Sequence, residues 1–320
     1  MPALRFAVFG KSRLAAARCH ALTASEAAKI VNTWSTEQVS SLSDTDWHEM
    51  LDPAQIDAAI FALAPDISAR AARIALEKGI HVLSELPGGE TVEDIINLRE
   101  AERDSGAVLK FGCGLRYHGS VQQALGLMQA GEFGKLLTAR AAYGHAGPPS
   151  GALVTPSILI GLAIHMLELL HRFCGPFESV KAMSDGAPER SENVLALLKT
   201  GSGALVQLHS SATSWRQTFR LELGFEHGYI WLDGHTPGLE GYGPEMLIHA
   251  RVERTRSGEV LPNPDETVRE FAGQDTAREE LEEFLAAIAG TSPLKHGTSH
   301  QAFDAINIAH RICAACETWA

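Results

Sequence analysis

No apolar run in the 320-residue sequence approaches the roughly 20 residues that a membrane span requires, which argues against a transmembrane protein. Residues 1–9 carry neither a long apolar core nor a small-residue cleavage site, so no secretory signal is read there. Positive charge is scarce. The 27 Lys and Arg face 39 Asp and Glu, and the net charge of -12 argues against a non-specific grip on nucleic acid or an anionic membrane. Cysteines number only five, odd and scattered at Cys19, Cys113, Cys174, Cys313 and Cys316. They do not form a disulfide framework, and a reduced, cytoplasmic protein is expected. There is no repeat and no low-complexity tract. What remains is ordinary globular composition, 45% hydrophobic and 21% charged, at a length that suits two domains.

The first third alternates short apolar runs with helical patterns. Strands are predicted over residues 4–9, 30–34, 56–64, 80–83 and 108–111, and helices over 14–22, 66–78 and 92–105 with Thr91 as N-cap. Alternation of this kind predicts a parallel, doubly wound α/β sheet. After Arg116 the pattern changes. A helix over 121–130 precedes a strand over 136–143, a Gly/Pro-rich loop over 144–151, and a helix from Thr155-Pro156 to Phe173. Gly201-Ser202-Gly203 and His227-Gly228 read as hairpin turns between apolar strands, predicting an antiparallel sheet with helices on one face. The division falls at 118/119: a Rossmann domain over 1–118 and an α+β domain over 119–320 that carries substrate and self-association. Residues 302, 305, 306, 309, 312, 313 and 316 make one apolar stripe on a last helix, so Cys313 and Cys316 read as buried thiols before a redox pair or a zinc site.

The stretch Gly79-Ile80-His81-Val82-Leu83-Ser84-Glu85-Leu86-Pro87-Gly88-Gly89 is a buried strand that empties into a loop at its carboxyl end, the edge where parallel sheets bind ligands. It resembles the Gly-Lys-His-Val-Leu-x-Glu-Lys-Pro signature of the glucose–fructose oxidoreductase, inositol dehydrogenase and MocA family. Gly112-Cys113-Gly114-Leu115-Arg116-Tyr117 resembles that family's Gly-x-Asn-x-Arg-Phe, and 161–168 resembles its Asp-x-Gly-x-His-x-x-Asp, with Gly161 for the first Asp, His165 kept and Glu168 for the second. The resemblance covers nearly the whole chain. It implies NAD(P)-dependent oxidation or reduction of a sugar, cyclitol or nucleotide-sugar derivative, and a homodimer or homotetramer. It also implies catalytic roles for His165, Glu85 and Glu168. The family's catalytic lysine is Leu86 here. A general acid/base needs a transferable proton near its working pH, which His165 offers and Leu86 does not.

The remaining site residues follow from position. Gly10-Lys11-Ser12-Arg13-Leu14-Ala15 stands where a Rossmann G-x-G-x-x-G belongs, with only the first glycine kept. Gly10 can make the turn, and Lys11, Arg13 and the helix N-terminus favour phosphate, while Ser12 adds a Cβ where the backbone approaches it. Two readings stay open there: a dinucleotide turn, or a strand–helix turn in a shell that no longer holds one. At the second strand's end Thr33, Trp34, Ser35 and Thr36 replace the usual ribose-binding acid, and the small hydroxyls favour NADP over NAD. The alternative is an ordinary turn with an exposed Trp34. Ala64-Pro65 resembles the family's strand-end Thr-Pro along the cofactor. Arg116 reads as a nicotinamide or substrate contact, or as an interdomain salt bridge. His165 has its own bland reading as a core histidine. The H-x-x-E-x-x-H spacing of His165, Glu168 and His171 spreads over too wide an arc to predict a metal site. Two functions from different classes follow. One is the oxidoreductase, with chemistry weakened or altered at residue 86. The other is a non-catalytic relative that binds a ligand or partner as a regulator or scaffold. A redox-neutral enzyme using a held dinucleotide is a third.

Overall fold

The structure, a computed structural model, describes residues 2–146, 157–188, 190–234, 243–262, 264–273 and 275–318. They divide into two compact units, one built from residues up to 114 together with 275–310, the other from the rest. The Gly/Pro-rich loop expected over 144–151 falls largely outside the described residues, as does the expected helix start at Thr155-Pro156.

The first unit runs β1 (Leu4–Phe9), α1 (Arg13–Thr23), β2 (Ala28–Trp34), α2 (Thr36–Val39), α3 (Asp44–Met50), β3 (Ala58–Phe61), α4 (Pro65–Glu77), β4 (His81–Glu85), α5 (Val92–Ser105) and β5 (Leu109–Gly112). The five strands form one parallel sheet in the order β2-β1-β3-β4-β5. The central strand β3 is buried along its whole length, and it reads as an unbroken apolar run. On one face Phe6, Val8, Ile60 and Leu83 pack against Ala15 and Leu22 of α1 and against Leu281 and Phe284 from near the chain's end. On the other, register sets Trp34, Phe9 and Phe61 side by side on three neighbouring strands. Phe9 stacks on both, at 4.7 Å from Trp34 and 5.0 Å from Phe61, and Trp47 of α3 meets Phe9 and Phe61 edge-on. Trp34 is therefore half-buried in an aromatic ladder rather than exposed.

The second unit contains a 3-10 turn ending at Tyr117, α6 (Gly119–Gln129), β6 (Leu136–Ala146), a π-turn (Leu159–Ala163), α7 (Ile164–Cys174), β7 (Phe177–Ser184), β8 (Asn193–Thr200), β9 (Leu205–Ser211), β10 (Thr213–Phe225), β11 (Gly228–Gly234), β12 (Glu245–Arg251) and β13 (Thr267–Phe271). The chain then forms α8 (Thr276–Ile288) and α9 (Ser299–Ala315), whose residues to 310 count with the first unit, and a final β14 (Cys316–Thr318) in the second. Among the described residues the second sheet has nine strands in the order β13-β12-β11-β10-β6-β9-β8-β7-β14. It is mostly antiparallel, with parallel pairs at β6–β9 and β7–β14. Both expected hairpins form, β8–β9 and β10–β11. Strand alternation places Leu221, Leu223, Ile230 and Leu232 on the covered face with α6, and leaves Leu197, Leu205 and Trp231 on the open one. Cys313 and Cys316 are half-buried rather than enclosed, and Cys316 has already left the helix for β14.

Candidate functional site

The carboxyl ends of β1 to β4 gather most of the expected cofactor residues along one sheet edge. Gly10 follows β1 with φ 124°, and a Cβ there would stand 2.3 Å from the Ala62 carbonyl oxygen. The chain is that close because Gly10 N–H donates to Trp34 O and Ala62 N–H to Phe9 O, each at 2.8 Å. Only glycine fits. Ser12 is the N-cap of α1, and its Oγ accepts the Ala15 N–H at 3.2 Å. The helix thus caps one of its own early N–H groups, yet its first turn holds no acid. Lys11 is exposed, Arg13 half-buried and Leu14 exposed. This donor set fits a dinucleotide: Lys11, Arg13 and the remaining first-turn N–H groups would hold its pyrophosphate. Ser35 caps α2, its N–H donating to Gln38 Oε1 at 2.8 Å. A hydrogen bond from Ser35 holds the exposed Glu37 carboxyl below its usual range, with Lys11 adding to the effect. Pro65, buried, opens α4.

Glu85 does not stand open at this edge. It is 6% exposed, and the Arg18 guanidinium clasps it by two donors, Nε to Oε1 at 2.7 Å and Nη2 to Oε2 at 3.2 Å. Arg18 also pairs with Glu280 of α8, whose Oε1 accepts the Cys113 N–H at 2.6 Å. Burial works against the Arg18 charge, but Glu280 and Glu85 outweigh it and hold its pKa above the ordinary arginine value. Gly112 is glycine because a Cβ would lie 2.2 Å from Glu85 Oε2. Leu86 is 4% exposed. Gly88 has φ 76° and no room for a Cβ against the Phe111 ring. Arg18 and Glu280 were not singled out by sequence, although a signal exists. Arg18 shares the buried face of α1 with Ala15 and Leu22, and Glu280 shares that of α8 with Leu281 and Phe284. A charge at a core position of a helix needs a partner.

In the second unit Arg116, 2% exposed, forms an ion pair with Glu168 of α7, itself 3% exposed. Two residues singled out separately therefore neutralise one another, and the salt bridge of Arg116 lies within this unit. His165 stands one turn before Glu168, half-buried, just past the π-turn that contains Gly161. Such π-turns recur at functional sites. A further buried group has no sequence signal: His118 and Ser120, from the start of α6, meet the Glu245 carboxylate 125 residues or more away. Burial, with Glu245 adding to it, raises the Tyr143 hydroxyl well above its ordinary pKa. Among the described residues no group of three or more His, Cys, Asp or Glu is arranged to hold a metal ion.

A five-stranded parallel sheet with a glycine turn and a cationic helix start, joined to a sheet-and-helix unit, defines an NAD(P)-binding oxidoreductase architecture. Residues 5–113 match the model of the oxidoreductase family with NAD-binding Rossmann fold, and 121–231 match the GFO/IDH/MocA C-terminal domain. The chain belongs to the Gfo/Idh/MocA oxidoreductase family. No curated protein matches it. Among solved structures it is similar to UDP-N-acetylglucosamine 3-dehydrogenase from Acidithiobacillus ferrooxidans, with 20% identity, 99% of this chain and 98% of that one covered, and a TM-score of 0.79. It is similar also to a 3-ketoreductase from Actinomadura kijaniata in complex with NADP and TDP-benzene, with 16% identity, 99% and 98% covered, and a TM-score of 0.80. At these identities the likeness is one of fold.

Proposed function

We propose that the protein is a pyridine-nucleotide-dependent oxidoreductase acting on a sugar, a cyclitol or a nucleotide-sugar derivative, with chemistry weakened or altered by the leucine at position 86. The observation that carries this reading is the contrast at one sheet edge: the Gly10 turn is kept, with Lys11 and Arg13 at the start of α1, while Leu86, just past β4, has nothing to protonate or deprotonate. The named activities of the two neighbours, on a UDP-sugar and as a 3-ketoreductase, support the substrate class. When bound, the dinucleotide accepts or donates the hydride. This chain's part is to hold the cofactor through Lys11, Arg13 and Ser35, and to take or give the hydroxyl proton at His165. Arg18 fixes Glu85 and Arg116 fixes Glu168, so in this reading both carboxylates position the site rather than move protons. The absence of an acid at the end of β2, where Thr33, Trp34, Ser35 and Thr36 stand, favours NADP over NAD.

The same neutralised carboxylates, with Leu86, favour a second reading: a relative that binds dinucleotide and ligand as a regulator or scaffold without turnover. Self-association into a dimer or tetramer would run through the open face of the second sheet, where Leu195, Leu197, Leu205 and Trp231 are exposed.

Leu86→Lys is the informative variant. General acid/base catalysis contributes roughly 10²–10⁴-fold, and under the first reading the lysine raises NADP-linked turnover of sugars and nucleotide sugars within that range. Wild-type turnover already at ordinary enzyme rates, unaffected by His165→Ala, would overturn this account of the site. Dinucleotide binding with no turnover in either form would favour the regulator.

A further inference from the structure

Cys313-x-x-Cys316 is a motif that the dinucleotide site does not use. Both side chains are half-buried, whereas Cys113 and Cys174 are buried, and burial pushes the Cys174 thiol up to about 12. Cys19 is half-buried too, but burial raises it above the ordinary thiol value, and α1 holds no second cysteine. Among the described residues no group of three or more metal donors forms, so the pair offers thiol chemistry rather than a zinc site.

The backbone brings the two cysteines within bonding range. Helix α9 ends at Ala315, and Cys316 is the first residue of β14. Helical geometry up to that end puts the Cα atoms of residues 313 and 316 about 5 Å apart, on one side of the helix. A disulfide spans roughly 4.4–6.8 Å between Cα atoms. The pair also lies between two anchors on one strand. Before it, Arg311 donates from Nη1 to Phe177 O at 2.7 Å and from Nη2 to Glu178 O at 2.9 Å, at the start of β7. After it, β14 runs parallel to β7, with Cys316 opposite Ala182 and Thr318 opposite Ser184. Strand β14 has only three residues and stands at one edge of the nine-stranded sheet, where it covers β7. So short a strand near a chain end frays readily, and its loss uncovers a row of backbone donors and acceptors.

We propose that Cys313 and Cys316 form a reversible intramolecular disulfide with a small-molecule disulfide as oxidant, and that this bond fixes β14 on the edge of β7. One cysteine thiolate attacks a sulfur of the oxidant, breaks its S–S bond and releases one small thiol. The other cysteine thiolate then attacks the protein sulfur of the mixed disulfide and releases the second. The two cysteines lose two protons and two electrons, and the oxidant becomes two thiols. In a reducing compartment the pair stays as thiols and β14 frays; a rise in oxidant closes it.

The test takes the full chain, reduced with dithiothreitol, into oxidised glutathione at neutral pH without denaturant. Intact mass, iodoacetamide labelling mapped by peptide, and hydrogen exchange are read. Expected are a mass loss of two hydrogen atoms, a peptide linking Cys313 to Cys316, loss of labelling at both, and reversal by dithiothreitol. Exchange over residues 316–318 should slow in the oxidised form. Cys316→Ser should form no cross-link and carry one glutathione at Cys313; should that variant not fold, the wild-type mapping decides alone. A glutathione on each cysteine without a cross-link, both cysteines left unmodified, a cross-link between any other pair, or one that forms only in urea overturns the proposal. A cross-link that leaves exchange over 316–318 unchanged overturns the role given to β14.

Discussion

Replacing Arg116 by methionine would leave the Glu168 carboxylate at 3% exposure without its ion-pair partner. Breaking a buried pair from one side costs about 3–5 kcal/mol, because the remaining charge stays desolvated. Removing both partners, in Arg116→Met/Glu168→Met, takes away the charge as well as the contact and is often neutral or mildly stabilising. The expected result is therefore non-additive. Each single variant loses several kcal/mol, and the double variant recovers most of it. At roughly 2–4 °C per kcal/mol for a unit of this size, the Arg116→Met transition should fall by about 6–20 °C. The assay is urea denaturation of the four proteins at pH 7, followed by circular dichroism, with calorimetric scans to see whether the two units melt separately. Single variants within about 1 kcal/mol of wild type, or a double variant less stable than both singles, would refute the idea that the two buried charges stabilise one another.

Gly10→Ala should cost about 1–3 kcal/mol in backbone strain at φ 124° before the clash with Ala62 O is counted, and should weaken dinucleotide binding; an unchanged melt and an unchanged Kd would contradict the turn described here. Wild type should run as a dimer or larger by light scattering at micromolar concentration, and Leu197→Glu/Leu205→Glu should shift it toward monomer; a wild-type monomer would remove the case for self-association through the open sheet face.

Most of the first unit was legible because its signals are local. Strands buried on both faces leave apolar runs such as Val82 to Leu83, and Thr91 announces α5 through a capping box closed by Asp94. The second unit was legible at α6, β6, the end of α7 and its hairpins, and less so elsewhere. Strands β7, β12 and β13 carry exposed or half-exposed residues along much of their length, so their apolar content is thin. The open face shows the same limit in miniature. Trp231 and Leu232, with Leu205 and Leu223, make an apolar set by sequence, but a period of two sends Trp231 and Leu205 outward and Leu223 and Leu232 into the core. Helix α8 belongs with the first unit although the chain has passed through the second before reaching it, and no pattern in a local window records that return.

The site was half legible for a related reason. A sequence marks where a strand ends, so Gly10, Ser35, Pro65 and Glu85 could all be placed at a ligand-binding edge. It does not mark what each side chain meets there. Glu85 sits two residues after Leu83 and so points to the same face, toward α1 and α8. Its partner Arg18 comes from 67 residues earlier, and the competing carboxylate Glu280 from the far end of the chain. A carboxylate read alone looks like an acid or a base. Clasped by two donors of one guanidinium, it is oriented and both its oxygens are already engaged. Glu168 is likewise already paired, with Arg116. Under the proposed oxidoreductase reading the chemistry would turn on His165 and on whatever stands at residue 86, which is why a single change there, Leu86→Lys, would separate an enzyme with a missing part from a scaffold with none.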